Sequence, residues 1–147
     1  MKKALSTFAI LSLLFACQTS GQETISENDE PTNSNTNITN MSKKETVGTF
    51  LGAVIQNDTS TMRELANSDY IQHNPFIPTG LEPFIKILPV LQENGTTAEN
   101  IRMFQDGDYV FMHNVWKNAT PFGAKEMVSF DIIRLDEKGK VAEHWDA

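Results

Sequence analysis

The chain has 147 residues, enough for one domain of ordinary size. Twelve basic residues stand against 19 acidic ones, giving a formal net charge of -7 at pH 7 with no basic stripe, so we expect no nucleic-acid partner. The single cysteine excludes a disulfide within the chain.

The N-terminus has the pattern of an export signal. Lys2 and Lys3 precede an apolar run at residues 4–15, which is shorter than the roughly 20 apolar residues that a membrane-spanning helix needs. The run ends at an alanine followed by Cys17, an arrangement that resembles the lipobox of bacterial lipoproteins. The resemblance implies that a signal peptide at residues 1–16 is removed and that Cys17 is lipidated. The protein would then be held at the bacterial cell envelope, on the outer membrane or cell surface, by its N-terminal lipid. The alternative is an ordinary secretory signal with a chance cysteine.

Residues 17–41 are polar and acidic, and they contain no aromatic side chain. Such a segment cannot bury enough apolar surface to offset the entropy of ordering it. We therefore expect residues 17–41 to form a disordered tether and residues 42–147 to form one folded domain.

Helix signals occupy the first part of this domain. Ser42 and Glu45 have the spacing of a capping box, and the apolar residues that follow recur at helical spacing, which predicts a helix that ends near Asn57. Thr59 or Ser60 is expected to cap a second, shorter helix.

Prolines and glycines divide the next segment. Two prolines and a glycine predict an extended loop of defined shape at residues 70–80. A third helix is predicted at residues 82–92, and Pro89 should kink or shorten it.

The second half of the domain changes to strand patterns. Residues 101–105 and 109–116 flank an Asp-Gly-Asp turn, which is a strong hairpin signal. Further strands are predicted at about residues 125–136 and 140–145. Helices followed by a meander, with no parallel crossover pattern, predict an α+β fold in which the helices pack on a curved, mainly antiparallel sheet.

Three segments of the predicted domain are distinctive: Tyr-Ile-Gln-His-Asn-Pro at residues 70–75, Phe-Asp-Ile-Ile-Arg at 130–134 and Gly-Lys-Val-Ala-Glu-His-Trp-Asp at 139–146. In order and spacing they resemble the SnoaL-like branch of the nuclear transport factor 2-like (NTF2-like, cystatin-like) superfamily. The resemblance covers the whole predicted domain and implies a cone-shaped fold with a mostly apolar pocket. It also implies a small, apolar carbonyl compound as ligand, with aldol-cyclase or isomerase-type acid/base chemistry as one function. The alternative function is that of a non-catalytic module that binds a ligand or dimerises. In either case we expect a homodimer.

Asp131 is the first candidate catalytic residue. It interrupts an apolar strand and shares a face with Ile133 and Leu135, where desolvation suits a carboxyl group to acid/base chemistry. The resemblance to SnoaL-type cyclases also implies a catalytic aspartate at this position. The alternative is a strand-edge aspartate paired with Arg134 or with a helix end.

Two histidines are candidate partners for Asp131. His73 lies in the loop that the resemblance puts at the pocket mouth, where it could be a base, a donor or part of the wall. His113 alternates with apolar residues, so it meets Asp131 if its face is the interior and otherwise lies at a dimer surface.

Six further residues are expected to line the pocket, with core packing as the alternative for the aromatic ones: Tyr70, Asn74, Phe76, Trp116, His144 and Trp145. The last two point to opposite faces of one strand, and the register does not say which faces inward. The spacing of the three histidines matches no compact metal-binding motif, so we expect neither a metal nor a cofactor.

Overall fold

A computed structural model describes residues 40–147. The predicted signal peptide at residues 1–16, the predicted lipidation site Cys17 and nearly all of the predicted tether therefore lie outside the described residues. The elements are α1 (Lys43–Gln56), α2 (Thr59–Leu65), β1 (Ala66–Gln72), α3 (Leu81–Ile85), α4 (Leu88–Glu93), β2 (Thr97–Asp106), β3 (Tyr109–Lys117), a 3-10 turn (Thr120–Phe122), β4 (Glu126–Leu135) and β5 (Val141–Asp146).

The predicted capping box begins α1. The Ser42 hydroxyl accepts from the Glu45 backbone N–H, and the Glu45 carboxylate accepts from the Ser42 backbone N–H. The helix ends at Asn57, as predicted, and Asn57 has the left-handed conformation common at helix C-termini. The prediction for α2 was wrong in one detail, because Asp58 caps it and not Thr59 or Ser60.

Pro89 divides the predicted third helix. The chain forms α3 and α4 as two short helices, and Pro89 lies in the first turn of α4, where its missing N–H has no intrahelical acceptor to lose. Among residues 40–147, no helix is long and apolar enough to cross a membrane.

The sheet has five strands in the order β1-β5-β4-β3-β2. The hairpin of β2 and β3, and the pairings of β3 with β4 and β4 with β5, are antiparallel. Two predictions were wrong at the β1 edge of the sheet: that residues 70–80 form a loop throughout, and that the sheet has no parallel crossover. Residues 70–72 belong to β1, which pairs in parallel with β5, Gln72 opposite His144.

The helices cover one face of the sheet. Buried side chains of α1, α3 and α4 meet those on the inner face of β3, β4 and β5. Together they form the core, which includes Val47, Phe50, Phe84, Leu88, Val110, Ile133, Leu135 and Val141. The architecture is the predicted α+β one, with helices packed on a mainly antiparallel sheet. A cavity lies between the sheet and the helices α1 and α3.

Candidate active site

The cavity lies between α1, α3 and the inner face of the sheet. The empty space between these walls is about 500 Å³, a figure that includes space open to solvent. Most of its wall is apolar, including Phe50, Val54, Phe84, Met112, Trp116 and Ile133. Polar side chains enter this wall from β4, β5 and the loop after β1: Ser129, Asp131, His144, Asp146 and Asn74.

Asp131 lies on the inner face, as its alternation with Ile133 and Leu135 predicts, and its side chain is only 4% exposed. Its Oδ2 atom accepts hydrogen bonds from Asn114 Nδ2 at 2.7 Å and from Ser129 Oγ at 2.5 Å. Both of these groups donate a hydrogen bond, and a carboxylate oxygen accepts it.

The two donors to Oδ2 are themselves fixed. Trp116 Nε1, which can only donate, bonds to Ser129 Oγ at 2.9 Å, so the Ser129 hydroxyl hydrogen is directed to Asp131. Asn114 Oδ1 accepts from Asn100 Nδ2 at 2.8 Å, which directs the Asn114 amide N–H to Asp131. The carboxylate is thereby held in one orientation by β3 and β4.

The imidazole that meets Asp131 belongs to His144. Its Nε2 atom lies 3.0 Å from Asp131 Oδ1, and its Nδ1 atom lies 3.1 Å from Gln72 Nε2. The orientation of the Gln72 amide follows from its Oε1 atom, which accepts from the Asn74 backbone N–H at 2.9 Å. The Gln72 amide nitrogen therefore faces His144 as a donor.

This arrangement assigns the protonation of His144. Since Gln72 donates to Nδ1, that nitrogen carries a lone pair, and the ring proton lies on Nε2 and is donated to Asp131. A second proton on Nδ1 would place two donors against each other. The hydrogen bonds thus fix one tautomer of the ring, with its proton on Nε2.

Asp146 is the second acid in the cavity. It lies opposite Asp131 in the β4–β5 pairing, and its Oδ2 atom accepts from Asn74 Nδ2. The orientation of Asn74 is fixed because its Oδ1 atom accepts from the Phe76 backbone N–H at 2.8 Å. Asp146 Oδ1 is buried, and none of the described residues donates to it.

Asp131, His144 and Asp146 each offer one ligand atom within 4.8 Å of the others, a grouping that could hold a metal ion. The spacing of the histidines along the chain did not indicate it. A metal on His144 Nε2 would need a proton on Nδ1, facing the Gln72 amide hydrogens. The donor set therefore disfavours a metal bound through this nitrogen.

The prediction that His73 borders the pocket is corrected. Its imidazole is 42% exposed, stacks on Trp145 with ring centroids 5.0 Å apart and bonds to Glu143 through Nε2 at 2.9 Å. This hydrogen bond, with the charge of Arg134, lowers the pKa of the Glu143 carboxyl. His73 and Trp145 are thus outside the cavity, because Trp145 points to the face opposite His144.

His113 is also absent from the cavity. It alternates with the inward residues Met112 and Asn114 and stacks on Phe130, with ring centroids 4.9 Å apart, on the outer face of the sheet. The sequence left open which face of the sheet His113 occupies, and in the structure it lies on the outer face.

The remaining predicted residues divide between wall, core and surface. Asn74, Trp116 and His144 line the cavity. Tyr70 is fully buried against Phe84 and lies behind the lining, where its hydroxyl accepts from Gln72. Burial, with the charges of Asp146 and Asp131, raises the pKa of the Tyr70 phenol well above 10.0, so it remains protonated at neutral pH.

Phe76 was expected at the pocket and is 56% exposed, packed beside Gly123. A Cβ at Gly123 would lie 2.7 Å from the Phe76 ring, and the residue has φ of +98°. Phe76 thus packs against Gly123 and does not line the cavity, although Asn74 of the same loop does.

Sequence reasoning missed Asp146, Gln72, Asn114 and Ser129. A signal for Asp146 was present, because it follows His144 by two residues on one strand and must share its face. Gln72 and Asn114 carried no signal, since their roles arise from pairing between distant strands.

No protein-family model and no curated protein sequence matches this chain, but solved structures do. IdmH, a proposed polyketide cyclase from Streptomyces antibioticus, is similar over 73% of this chain and 91% of its own, with 22% identity and a TM-score of 0.59. A cystatin-fold protein from Novosphingobium aromaticivorans is similar over 73% of this chain and 98% of its own, with 18% identity and a TM-score of 0.62. An NTF2-like protein of unknown function from Cytophaga hutchinsonii is similar over 73% and 89%, with 13% identity and a TM-score of 0.61.

At these identities the likeness identifies the fold and not the reaction. The chain has the α+β fold of the NTF2-like, cystatin-like proteins, as its three resembling segments predicted.

Proposed function

We propose that the cavity binds a small, largely apolar carbonyl compound and catalyses proton transfer at the carbon next to its carbonyl. The observation that carries this proposal is the grouping of Asp131, His144 and Asp146 in an otherwise apolar wall. Enolisation needs a base beside the C–H bond, and two acids and an imidazole in an apolar cavity can supply one.

Enolisation also needs a donor for the oxygen that becomes negative. The Asn74 amide lines the cavity and directs one N–H to Asp146. Its second N–H is the donor we assign to the carbonyl oxygen of the ligand. The similarity to IdmH supports the reaction class, since that protein is itself a proposed polyketide cyclase.

Exchange of carbon-bound hydrogen tests this proposal without knowledge of the natural substrate. The full chain in D2O is expected to accelerate loss of the α-protons of 2-tetralone, an enolisable bicyclic ketone, by at least about 100-fold over buffer. Proton NMR measures the rate. An Asp69→Asn variant, altered at an exposed position of β1, should retain it.

A wild-type rate equal to that in buffer would contradict the catalytic proposal. Binding of 2-tetralone without exchange would then leave the non-catalytic, ligand-binding alternative.

We also propose that the protein is anchored in the bacterial envelope through a lipid on Cys17. The support is the sequence pattern of a positive start, a short apolar run and a cysteine directly after it. Cells fed an alkyne-bearing palmitate analogue should label the wild type in the membrane fraction. Cys17→Ser should lose the label, whereas the neighbouring Thr19→Ser should keep it, and label retained in Cys17→Ser would refute the anchor.

The partner that we propose for the outer face of the sheet is a second copy of the chain. Phe104, Val128 and Phe130 are more than half exposed there, and Phe104 stacks on Phe111 and Phe130 on His113. His113 Nδ1 is buried on this face with no partner among the described residues. Contiguous apolar patches of this kind mark interaction sites. Arg134 and Glu143, at the edge of this face, are paired with each other.

A further inference from the structure

The carboxyl groups of the cavity wall have no basic side chain beside them. Asp131 and Asp146 both line the cavity, whereas no lysine or arginine within residues 40–147 does. The imidazole of His144 is in the same wall, and its Nε2 hydrogen is already donated to Asp131. Because charges interact strongly across an apolar space, such a wall favours a ligand with a positive charge over one with a negative charge.

The carboxylate of Asp146 also lacks a hydrogen-bond donor. Its Oδ2 atom accepts from Asn74, but none of the described residues donates to the buried Oδ1 atom. A buried oxygen without a partner costs free energy, so its presence calls for a reason. Asp131 differs, because both of its oxygens accept hydrogen bonds from the protein. A donor on a bound ligand is therefore wanted at Asp146.

Aromatic rings form much of the remaining wall. They belong to Phe50, Phe84, Trp116 and Phe122. Aromatic faces attract organic cations, and they also pack well against hydrocarbon. A wall of rings with a carboxylate that lacks a donor suits a hydrophobic molecule that carries one protonated amine.

We propose that the compound bound in this cavity carries a protonated amine, whose ammonium group binds to the Asp146 carboxylate. The amine adds a second functional group to the carbonyl, for which this inference rests on the function proposed above. Asn74 donates one amide hydrogen to Asp146, and its other amide hydrogen is the one assigned to the carbonyl oxygen. Two acceptors on one amide nitrogen lie about 5 Å apart. The amine and the carbonyl are thus only a few bonds apart, and the ligand class is a hydrophobic amino ketone.

Three compounds with one carbon skeleton test the preference for a cation. At pH 7, 2-aminotetralin is a cation, 2-tetralol is its neutral counterpart and tetralin-2-carboxylate is an anion. Isothermal titration calorimetry on the full chain is expected to give 2-aminotetralin a Kd at least about tenfold lower than that of 2-tetralol. The carboxylate should bind more weakly than 2-tetralol. Equal Kd values for the amine and the alcohol, or tighter binding of the carboxylate, would overturn the inference.

Asp146→Asn tests the position of the ammonium group. An asparagine keeps an oxygen for Asn74 but removes the carboxylate charge. We expect its affinity for 2-aminotetralin to fall by about tenfold or more, with the Kd for 2-tetralol within about threefold of the wild type. Asp69→Asn, at an exposed position, should bind both compounds as the wild type does. An unchanged preference for the amine in Asp146→Asn with a wild-type melting temperature would refute the contact with Asp146.

The exchange experiment with 2-tetralone separates this inference from the proposed function, because 2-tetralone has no amine. Exchange by a wild type that does not prefer 2-aminotetralin would overturn the amine site and leave the proposed reaction standing. Preference for 2-aminotetralin without exchange would support the amine site and contradict the reaction. The comparison of the three compounds uses the wild type alone, so it decides the preference even where Asp146→Asn does not fold.

Discussion

Asp131→Asn is expected to lower the free energy of unfolding by about 2–4 kcal/mol, because the buried aspartate accepts three hydrogen bonds. Whichever way the asparagine turns, its NH2 group meets a donor: Asn114 and Ser129 on one side or His144 on the other. These donors cannot reorient, since Trp116 fixes the Ser129 hydroxyl and Gln72 fixes the His144 ring. Urea unfolding followed by circular dichroism measures the loss.

Two matched Asp-to-Asn changes serve as controls for that measurement. Asp69→Asn is exposed and should change the free energy of unfolding by no more than about 0.5 kcal/mol. Asp146→Asn, although in the same cavity, should cost less than Asp131→Asn. Equal stability of the Asp131 and Asp69 variants would show that the three donors contribute little.

These two aspartates differ although the sequence makes them look alike. Both lie on inward-facing positions of neighbouring strands, and the sequence indicated Asp131 as the pocket acid. The structure adds that Asp131 is saturated with donors, whereas Asp146 has an oxygen free. Hydrogen-bond saturation depends on Asn114 and Trp116 of another strand, so no pattern within β4 or β5 could have indicated it.

Local signals predicted most of the fold. The Ser42 and Glu45 capping box, the turn at Gly107 and the break at Pro89 each act within a few residues, and the structure has all three. The parallel pairing of β1 with β5 joins segments about 70 residues apart. The sequence of β1 has no regular alternation of apolar and polar residues, and prolines follow it. The end of this strand was therefore predicted to be part of a loop.

The histidines show what the alternation of side chains along a strand can and cannot predict. Alternation along β3 and β5 placed His113 with Phe111 and set His144 opposite to Trp145, and both relations hold. Which face looked inward depended on where the helices pack, which is a tertiary property. His144 therefore lies in the cavity, whereas His113 and His73 lie outside it.

Phe130→Glu is expected to convert the proposed homodimer to monomer, weakening its dissociation constant by at least about 100-fold, or about 2.7 kcal/mol. Phe130 is 62% exposed at the middle of the outer face, between Val128 and Ile132 on β4. In a two-fold interface each change occurs twice, so two carboxylates would be buried in an apolar contact.

Sedimentation equilibrium over a range of protein concentrations measures this dissociation constant. Val90→Glu is the matched control, because Val90 is an apolar residue that is 45% exposed on α4, away from the sheet. It should leave association at the wild-type level while adding the same charge. A wild type that stays monomeric at high concentration, or equal weakening by Val90→Glu, would contradict the interface on the outer face. Dissociation by Phe130→Glu alone would locate it there, on the opposite side of the sheet from the cavity, so that ligand access and self-association do not compete.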